Sequence, residues 1–299
     1  MSLQSPSVAA PPRTRGSRLW QRAAGISRRS PTLVVGGVIL AVFLILALCH
    51  RWIMPFDPLY AIPNATLLPP GAEHWFGTDN NGMDVLSRVI FGSIYAFGIA
   101  IPVIIISLIV GVPVGLMAGY AGGFLDEIVM RLVDGLRVFP SIILVMAVVA
   151  AAGPSLLNIV IVMGILDAPV FVRLVRSEVL ALRSNNYVEA AIAVGNPTWR
   201  ILLIHLLPNA MNGAIAQTAV RAAWAVRISA TLAFLGIGIQ PPAAEWGAMI
   251  RQGAEYMVTG QWWIGVFPGF ALILMVFGMN TVSDGLQELL DPRRASRGG

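Results

Sequence analysis

The residues with the clearest chemical potential are two arginines, Arg221 and Arg227, in an apolar stretch over about 209–236. An arginine at the centre of a membrane helix costs about 2.5 to 3.5 kcal/mol on translocon scales, so such residues normally face a bundle interior or an aqueous path. At about 100° per helical residue their side chains point roughly 120° apart, and Gln217 lies one turn before Arg221 on the same face. The pattern favours two hypotheses evenly. One or both arginines bind a passing carboxylate or another anion, or they form structural ion pairs with Asp167 or with an acid of a partner protein.

Few other residues have the types or the spacing needed for chemistry. All twenty Lys and Arg residues are arginine, whereas a phosphate-binding P-loop, a Schiff base and a pyridoxal enzyme each need a lysine. The histidines, His50, His74 and His205, are too far apart for a recognised metal spacing, and the single cysteine, Cys49, lies in an apolar run. An intramembrane protease would need paired acids, a Ser/His pair or an HExxH motif, and Asp167 alone is not a pair. We therefore expect no catalytic residue, no metal and no cofactor in this chain.

The composition indicates that membrane helices position these residues. Hydrophobic residues make up 57% of the 299 residues and charged residues 12%, where a soluble domain averages about 25% charged. Six runs approach the roughly 20 apolar residues that a transmembrane helix needs. They predict an all-α polytopic membrane protein with six transmembrane helices, at about 32–53, 93–119, 138–152, 156–176, 209–236 and 262–283. The third run is short, and Gly153-Pro154-Ser155 predicts a tight hairpin between it and the fourth.

The distribution of arginine predicts the orientation of the chain. With a cytoplasmic N-terminus, fifteen arginines fall in cytoplasmic segments and only Arg51, Arg88 and Arg251 fall outside, as the positive-inside rule requires. Both termini are therefore predicted to be cytoplasmic. Because the net charge of +5 is not gathered on one soluble face, we expect no nucleic-acid partner.

The expected layout follows from these spans. An Arg-rich, partly disordered arm covers 1–31, a transmembrane domain covers 32–295 and a tail covers 296–299. Within the domain, 54–92 and 237–261 are external and 177–208 is a cytoplasmic loop. Apolar residues at helical spacing over 124–132 also predict an amphipathic helix at the membrane surface.

The cytoplasmic loop 177–208 has the local signals of a helix, a sharp turn and a second helix. Ser184 or Asn185 is suited to cap the first helix, Gly195 to the left-handed position after its end, and Pro197 to the first turn of the next. The first helix carries small residues beside one acid, Glu189, which lets another protein approach closely. From these residues alone a solvated loop helix is the more frequent explanation, and a docking segment is the alternative.

Several motifs, in this order, resemble those of the membrane subunits, or permeases, of ATP-binding-cassette importers. Glu189-Ala190-Ala191, then Gly195 and His205-Leu206-Leu207-Pro208-Asn209, is similar to the EAA loop of these proteins. The dipeptide, oligopeptide and nickel branch of the family is similar over about residues 30–295, at Phe76-Gly77-Thr78-Asp79, Asp84-Val85-Leu86-Ser87-Arg88, Phe234-Leu235-Gly236, Glu245-Trp246-Gly247 and Leu290-Asp291-Pro292-Arg293. The chain departs from this branch at Met83, where arginine is usual, near Asp167, where a tryptophan is common, and at Arg221 and Arg227.

The resemblance implies a type I importer permease in the bacterial plasma membrane. It would be one of two similar subunits that form a pathway for di- and oligopeptides, or alternatively for nickel or another small solute. Two cytoplasmic ATPase subunits would bind ATP and Mg, and an external substrate-binding protein would dock on the outer segments. A secondary transporter driven by an ion gradient is the rival class, but the chain shows no clear internal repeat.

The resemblance implies the residues of the expected coupling site, whereas the residue types alone select the candidates for the translocation pathway. Contact with an ATPase is implied for Tyr187, Glu189, Ala190, Ala191, Gly195, Pro208 and Asn209. The candidates for the translocation pathway are Asp167, Gln217, Arg221 and Arg227.

Overall fold

The computed structural model describes residues 30–290. Most of the predicted arm, 1–29, the predicted tail, 296–299, and the Asp291-Pro292-Arg293 end of the last motif lie outside the described residues. In chain order the described helices are α1 (Pro31–Ile53), α2 (Val85–Ala121), α3 (Gly123–Val138), α4 (Ser141–Ala152), α5 (Leu156–Leu182), α6 (Asn186–Ala193), α7 (Thr198–Arg200), a π-helical segment (Ile201–Leu206), α8 (Leu207–Phe234), α9 (Trp246–Met257) and α10 (Trp263–Leu290).

The prediction of an all-α protein is confirmed for residues 30–290, which form helices without a strand. Four helices, α1, α2, α5 and α10, are long and apolar enough to cross a membrane, and α3 with α4 makes a fifth candidate as a pair bent by 88°. The third predicted span is α4, whose 12 residues, about 18 Å, are too few to cross alone. α8 has the length of a span, with 28 residues, but it is not apolar enough to join that set.

α1 packs along α10 through two close approaches at glycine. A Cβ at Gly36 would lie 2.7 Å from the Gly278 carbonyl oxygen, and a Cβ at Gly285 would lie 2.5 Å from Leu33 Cβ. Small residues let two membrane helices approach to backbone contact, where dispersion forces are strongest. These glycines therefore fix the contact between the first and the last described helices.

α2 and α5 form the most extensive helix pair. Three glycines one turn apart, Gly111, Gly115 and Gly119, face α5, and a Cβ on them would lie 2.7, 2.7 and 2.9 Å from the nearest α5 atom. One turn earlier, Ser107 Oγ donates a hydrogen bond of 2.9 Å to the Gly164 carbonyl oxygen. This contact holds α5 at one rotation about its axis, and so it sets the direction in which the polar side chains of α5 project.

α3 is the amphipathic helix that the sequence predicts, and two ion pairs tie it to α5. Asp126 accepts hydrogen bonds of 2.5 Å from both Nε and Nη2 of Arg176, and Asp134 pairs with Arg173. The chain then turns sharply into α4. The turn places the end of α3, with Arg137, against the middle of α5.

Candidate functional site

The predicted docking helix is present as α6, between the end of α5 and the start of α8. Asn185 lies at its N-cap position with an extended backbone, although its side chain makes no capping hydrogen bond. Val188 and Ala191 are buried against the chain, whereas Glu189 and Ala190 are exposed. α6 is therefore held by one face and presents an acid and a small residue on the other.

Gly195 ends this helix in the left-handed conformation, as the sequence predicts, with φ of 77°. Its amide donates to the Ile192 carbonyl oxygen at 2.9 Å, and Asn196 Nδ2 donates to the Ala191 carbonyl oxygen at 3.0 Å. These bonds satisfy carbonyls that the end of a helix leaves free. Pro197 lies at the N-cap of α7 and not inside its first turn.

A π-helical segment, Ile201–Leu206, connects α7 to α8, and Pro208 explains its position. Proline has no amide hydrogen, and its ring collides with the carbonyl four residues earlier, so a regular α-helical ladder cannot pass this residue. Immediately before it, the Leu207 amide donates to the Leu202 carbonyl, five residues back. Pro208 is among the expected coupling residues, but the sequence alone does not predict this change of helix type.

Tyr187 and Asn209 join α6 to the start of α8. Asn209 Nδ2 donates to the His205 carbonyl oxygen at 2.9 Å and reaches the Tyr187 hydroxyl at 3.5 Å. The structure thus brings all seven residues of the expected coupling site into one segment, and Tyr187 and Asn209 lie at the junction between its two halves.

The surface around α6 is apolar and exposed. Val194 is 80% exposed and Trp199 is 61% exposed, and further exposed side chains on this segment are Tyr187, Ile192, Leu203 and Ile204. A contiguous apolar surface on an ordered segment marks a protein interface or a membrane contact.

Asp167 and Arg221 form a bidentate ion pair between α5 and α8. Arg221 Nη2 donates to Asp167 Oδ1, and Arg221 Nε donates to Asp167 Oδ2 at 3.1 Å. Asp167 is 1% exposed, and the guanidinium of Arg221 also lies over the Trp224 ring, 4.5 Å from its centroid. The structure thus contains the ion pair between Arg221 and Asp167, which is one of the two roles expected for Arg221.

Arg227 and Gln217 are not part of this pair. Arg227 is exposed and Gln217 is partly buried on α8. Within residues 30–290 no carboxylate lies within ion-pair distance of Arg227, so the structure leaves its guanidinium available to a partner or to solvent.

A second polar cluster lies where the loop after α1 meets the loop before α9, outside the sites expected from the sequence. Arg88 and Asp79 are both buried, with Arg88 Nε 3.5 Å from Asp79 Oδ2. Arg88 Nη1 donates to the Pro58 carbonyl oxygen at 3.0 Å and to the Pro242 carbonyl oxygen at 3.3 Å. Burial raises the pKa of the Asp79 carboxyl above its ordinary value. The signal in the sequence is an acid and an arginine in two neighbouring motifs, Phe76-Gly77-Thr78-Asp79 and Asp84-Val85-Leu86-Ser87-Arg88, just before a predicted span.

Two further acids hold this region together. Asp84 caps α2 by accepting from the Ser87 amide at 2.8 Å and also contacts His74 Nδ1 at 2.9 Å. Glu245 caps α9 by accepting from the Ala248 amide at 2.9 Å, and burial raises the pKa of Glu245 to about 7. In the described part of the chain, no three His, Cys, Asp or Glu side chains are grouped so that they could hold a metal ion.

Known proteins match the chain over nearly its whole length. The family model described as the inner membrane component of binding-protein-dependent transport systems matches residues 111–296, and that of the N-terminal TM domain of oligopeptide transport permease C matches residues 18–70. A probable D,D-dipeptide transport system permease protein of Escherichia coli (strain K12) is 39% identical over 268 residues, 90% of each chain.

Two other relatives are similarly close. A dipeptide transport system permease protein of Alkalihalophilus pseudofirmus is 36% identical over 277 residues, which are 93% of this chain and 91% of the relative. A glutathione transport system permease protein of Pectobacterium atrosepticum is 34% identical over 285 residues, 95% of this chain and 93% of the relative. The first family model spans α6, Gly195, the π-helical segment and both halves of the Asp167–Arg221 pair. The resemblance is confirmed, and this chain belongs to the family of inner membrane components of binding-protein-dependent transport systems.

Proposed function

We propose that this chain is one of two permease subunits of an ATP-driven importer for di- and oligopeptides. The observation that carries the proposal is α6, a short helix held by one face, with small and apolar side chains exposed around it. A transporter driven by an ion gradient has no use for such a docking segment. The relatives named for dipeptide and glutathione transport favour peptides over nickel or another small solute.

The proposed topology has six crossings and both termini in the cytoplasm. α1, α2, the bent pair of α3 and α4, α5, α8 and α10 supply the crossings. The positive-inside distribution of arginine supports this orientation. The segments 54–92 and 237–261 then face outwards, where an external substrate-binding protein docks, and α6 faces the cytoplasm.

At the cytoplasmic side, α6 sits in a groove of an ATPase subunit. Glu189 and Ala190 face the ATPase, while buried Val188 and Ala191 tie α6 to the rest of the permease. Because Tyr187 and Asn209 link α6 to α8, closure of two ATPases on ATP is transmitted to the membrane helices. ATP hydrolysis belongs to these partners, since the chain has no lysine for a P-loop.

The translocation pathway runs between this chain and the second permease. Gln217 and Arg227 on α8 line it, because an exposed arginine within a span must face water or protein and not lipid. The Asp167–Arg221 pair belongs to the wall of the same pathway.

Reconstitution tests the proposal. A tagged chain is purified from native membranes, the co-purifying proteins are identified by mass spectrometry, and the complex is placed in proteoliposomes. We expect a second permease and ATPases to co-purify, and peptide uptake to need ATP inside and the binding protein outside. Uptake by the chain alone that an ionophore abolishes would establish the gradient-driven transporter instead, and uptake of Ni²⁺ but no peptide would establish the alternative solute.

A further inference from the structure

A small cavity lies at the corner where α3 turns into α4. We call it the corner cavity. Its volume is about 100 Å³, and it is bounded by α5 and α8 as well as by the corner itself. Its polar lining is Arg137, Ser141, Asp167 and Arg221, and Trp224 is one of its apolar walls.

The charges in the corner cavity do not balance. Arg221 uses Nε and Nη2 to bind both oxygens of Asp167, which leaves its Nη1 hydrogens for another acceptor. Arg137 is exposed and close enough to act electrostatically on Asp167, yet in the described chain it forms no ion pair of its own. Two guanidinium groups thus face one carboxylate that is already engaged, so the cavity has an excess of one positive charge.

The size and the walls of the cavity limit what can restore neutrality. A volume of about 100 Å³ has room for a carboxylate group with a small side chain. Trp224 holds the Arg221 guanidinium against its ring, and the bidentate bond to Asp167 fixes its plane, so the donor is pre-organised.

We propose that Arg137 and Arg221 bind a carboxylate of the transported solute in the corner cavity, the C-terminal carboxylate in the case of a peptide. Arg137 provides the unpaired charge, and Arg221 provides a second donor whose direction is fixed by Asp167. The identification of the solute as a peptide rests on the proposed function. The presence of a carboxylate site does not, since it follows from the charges and the volume.

Ligand-dependent stability of the purified importer, without its binding protein, tests this site. The probes are N-acetylalanine, which has a free carboxylate, and N-acetylalaninamide, which has the same shape but no charge, each at about 50 mM. We expect the acid to raise the temperature of unfolding by about 3 °C, as binding at tenfold the dissociation constant should. We expect the amide to raise it by less than a third of that.

Substitutions assign the effect to the cavity. Arg137→Gln removes the shift caused by the acid, and Arg137→Lys, which keeps the charge, retains part of it. The control is Arg131→Gln, on the same helix, whose side chain is exposed and paired with Glu127 at 2.5 Å. It keeps the full shift.

Three outcomes overturn the proposal: no shift with the acid in the wild type, an equal shift with the amide, or a full shift in Arg137→Gln. If Arg137→Gln fails to assemble, two comparisons still test the proposal. One is the shift with the acid against the shift with the amide in the wild type, and the other is the shift with the acid in Arg137→Lys. Because neither transport nor the binding protein enters this measurement, its failure leaves the peptide-uptake proposal standing. Failure of peptide uptake in proteoliposomes leaves the carboxylate site standing in the same way.

Discussion

The turn after α6 depends on one residue, Gly195. Its φ of 77° lies in the left-handed region, where a residue with a Cβ costs about 1 to 2 kcal/mol, but a Cβ added there would meet no atom within 4 Å. Gly195→Ala therefore strains the backbone without a collision. We expect the importer to assemble and to transport severalfold fewer peptides per ATP hydrolysed, because the turn no longer holds α6 at its angle. Parallel assays of peptide uptake and ATP hydrolysis in proteoliposomes measure this ratio.

Gly260 offers a matched control. It has φ of 95° and open space where a Cβ would lie, but it is located between α9 and α10, far along the chain from α6. Gly260→Ala introduces the same kind of strain and should keep the wild-type ratio of transport to hydrolysis. An equal loss of the ratio in both variants would show that general destabilisation, and not the position of α6, causes the effect.

Glu245 gives the chain a pH-dependent stability. Its pKa is about 7 in the folded protein against an ordinary value of 4.5, so the folded state binds more protons than the unfolded state between these values. Stability is therefore highest at acidic pH and decreases as the pH rises through about 7, by up to about 3 kcal/mol. The temperature of unfolding of the purified complex between pH 5 and pH 8 measures the effect.

Glu245→Gln, which keeps an oxygen to cap α9, should remove most of this pH dependence. Glu255→Gln is the control, because Glu255 lies on the same helix but is exposed, with its carboxylate 3.8 Å from Arg251. A pH profile that Glu245→Gln leaves unchanged would mean that another group causes the dependence.

The sequence identified Gly195 from its local signal alone, but it could not choose between the two hypotheses for Arg221. The left-handed position after a helix is a property of a few neighbouring residues. The partner of Arg221 depends instead on the rotation of α5, which the glycine contacts with α2 determine. The sequence shows Glu245 as part of a motif but does not show its burial, because that burial depends on elements far apart in the chain.

At the scale of the elements, the contact between α2 and α5 depends on the missing side chain of Gly111. A Cβ there would lie 2.7 Å from Phe171 Cβ and 2.8 Å from the Ala168 carbonyl oxygen, neither of which can move freely. Gly111→Ala should therefore destabilise the chain by about 1 to 3 kcal/mol. Gly98→Ala, in the same helix but with no atom within 4 Å of a Cβ, should be neutral or stabilising by up to about 1 kcal/mol. Size-exclusion chromatography after heating compares the thermal stability of the two variants. An equal loss of folded protein in both would contradict the close approach of α2 to α5 at Gly111.

The helices themselves were largely predictable, whereas their irregularities were not. The apolar runs gave every long helix, and the predicted amphipathic helix matches α3. The sequence shows Pro208 but does not predict the π-helical segment before it. The effect of a proline on the backbone hydrogen bonds of the preceding turn depends on whether the helix continues through the proline. A surface helix followed by a membrane span implies a bend near residue 138, and the structure has a bend of 88° between α3 and α4.

At the scale of the whole molecule, the proposed orientation can be tested with two exposed valines. Val194 follows α6 and Val258 follows α9, and they are 80% and 90% exposed. In a Cys49→Ser background we expect a membrane-impermeant maleimide to label Val258→Cys but not Val194→Cys in right-side-out vesicles. Both should react after the vesicles are opened and the peripheral ATPase subunits are removed. Labelling of Val194→Cys in sealed vesicles would reverse the proposed topology.

Composition was enough to place the chain in a membrane, and motif order was enough to identify its family. Neither could give the depth of each polar group, because α8 combines the length of a span with a polar sequence. The corner cavity could not be predicted either, because Arg137, Asp167 and Arg221 come from three helices that are separated along the chain.

The position of the Asp167–Arg221 pair has a mechanical consequence. α5 leads into α6, and α8 begins after the segment that follows α6. α5 and α8 are therefore the two halves of a hairpin that has the proposed docking helix at its tip. Asp167 lies 15 residues before Leu182, the last residue of α5, and Arg221 lies 14 residues after Leu207, the first residue of α8. The ion pair therefore connects the two helices about 22 Å from these ends. A force that separates the ends of α5 and α8 next to α6 therefore rotates both helices about the ion pair. The parts of the two helices beyond the ion pair then move in the opposite direction. The same rotation that opens one end of the hairpin closes the other.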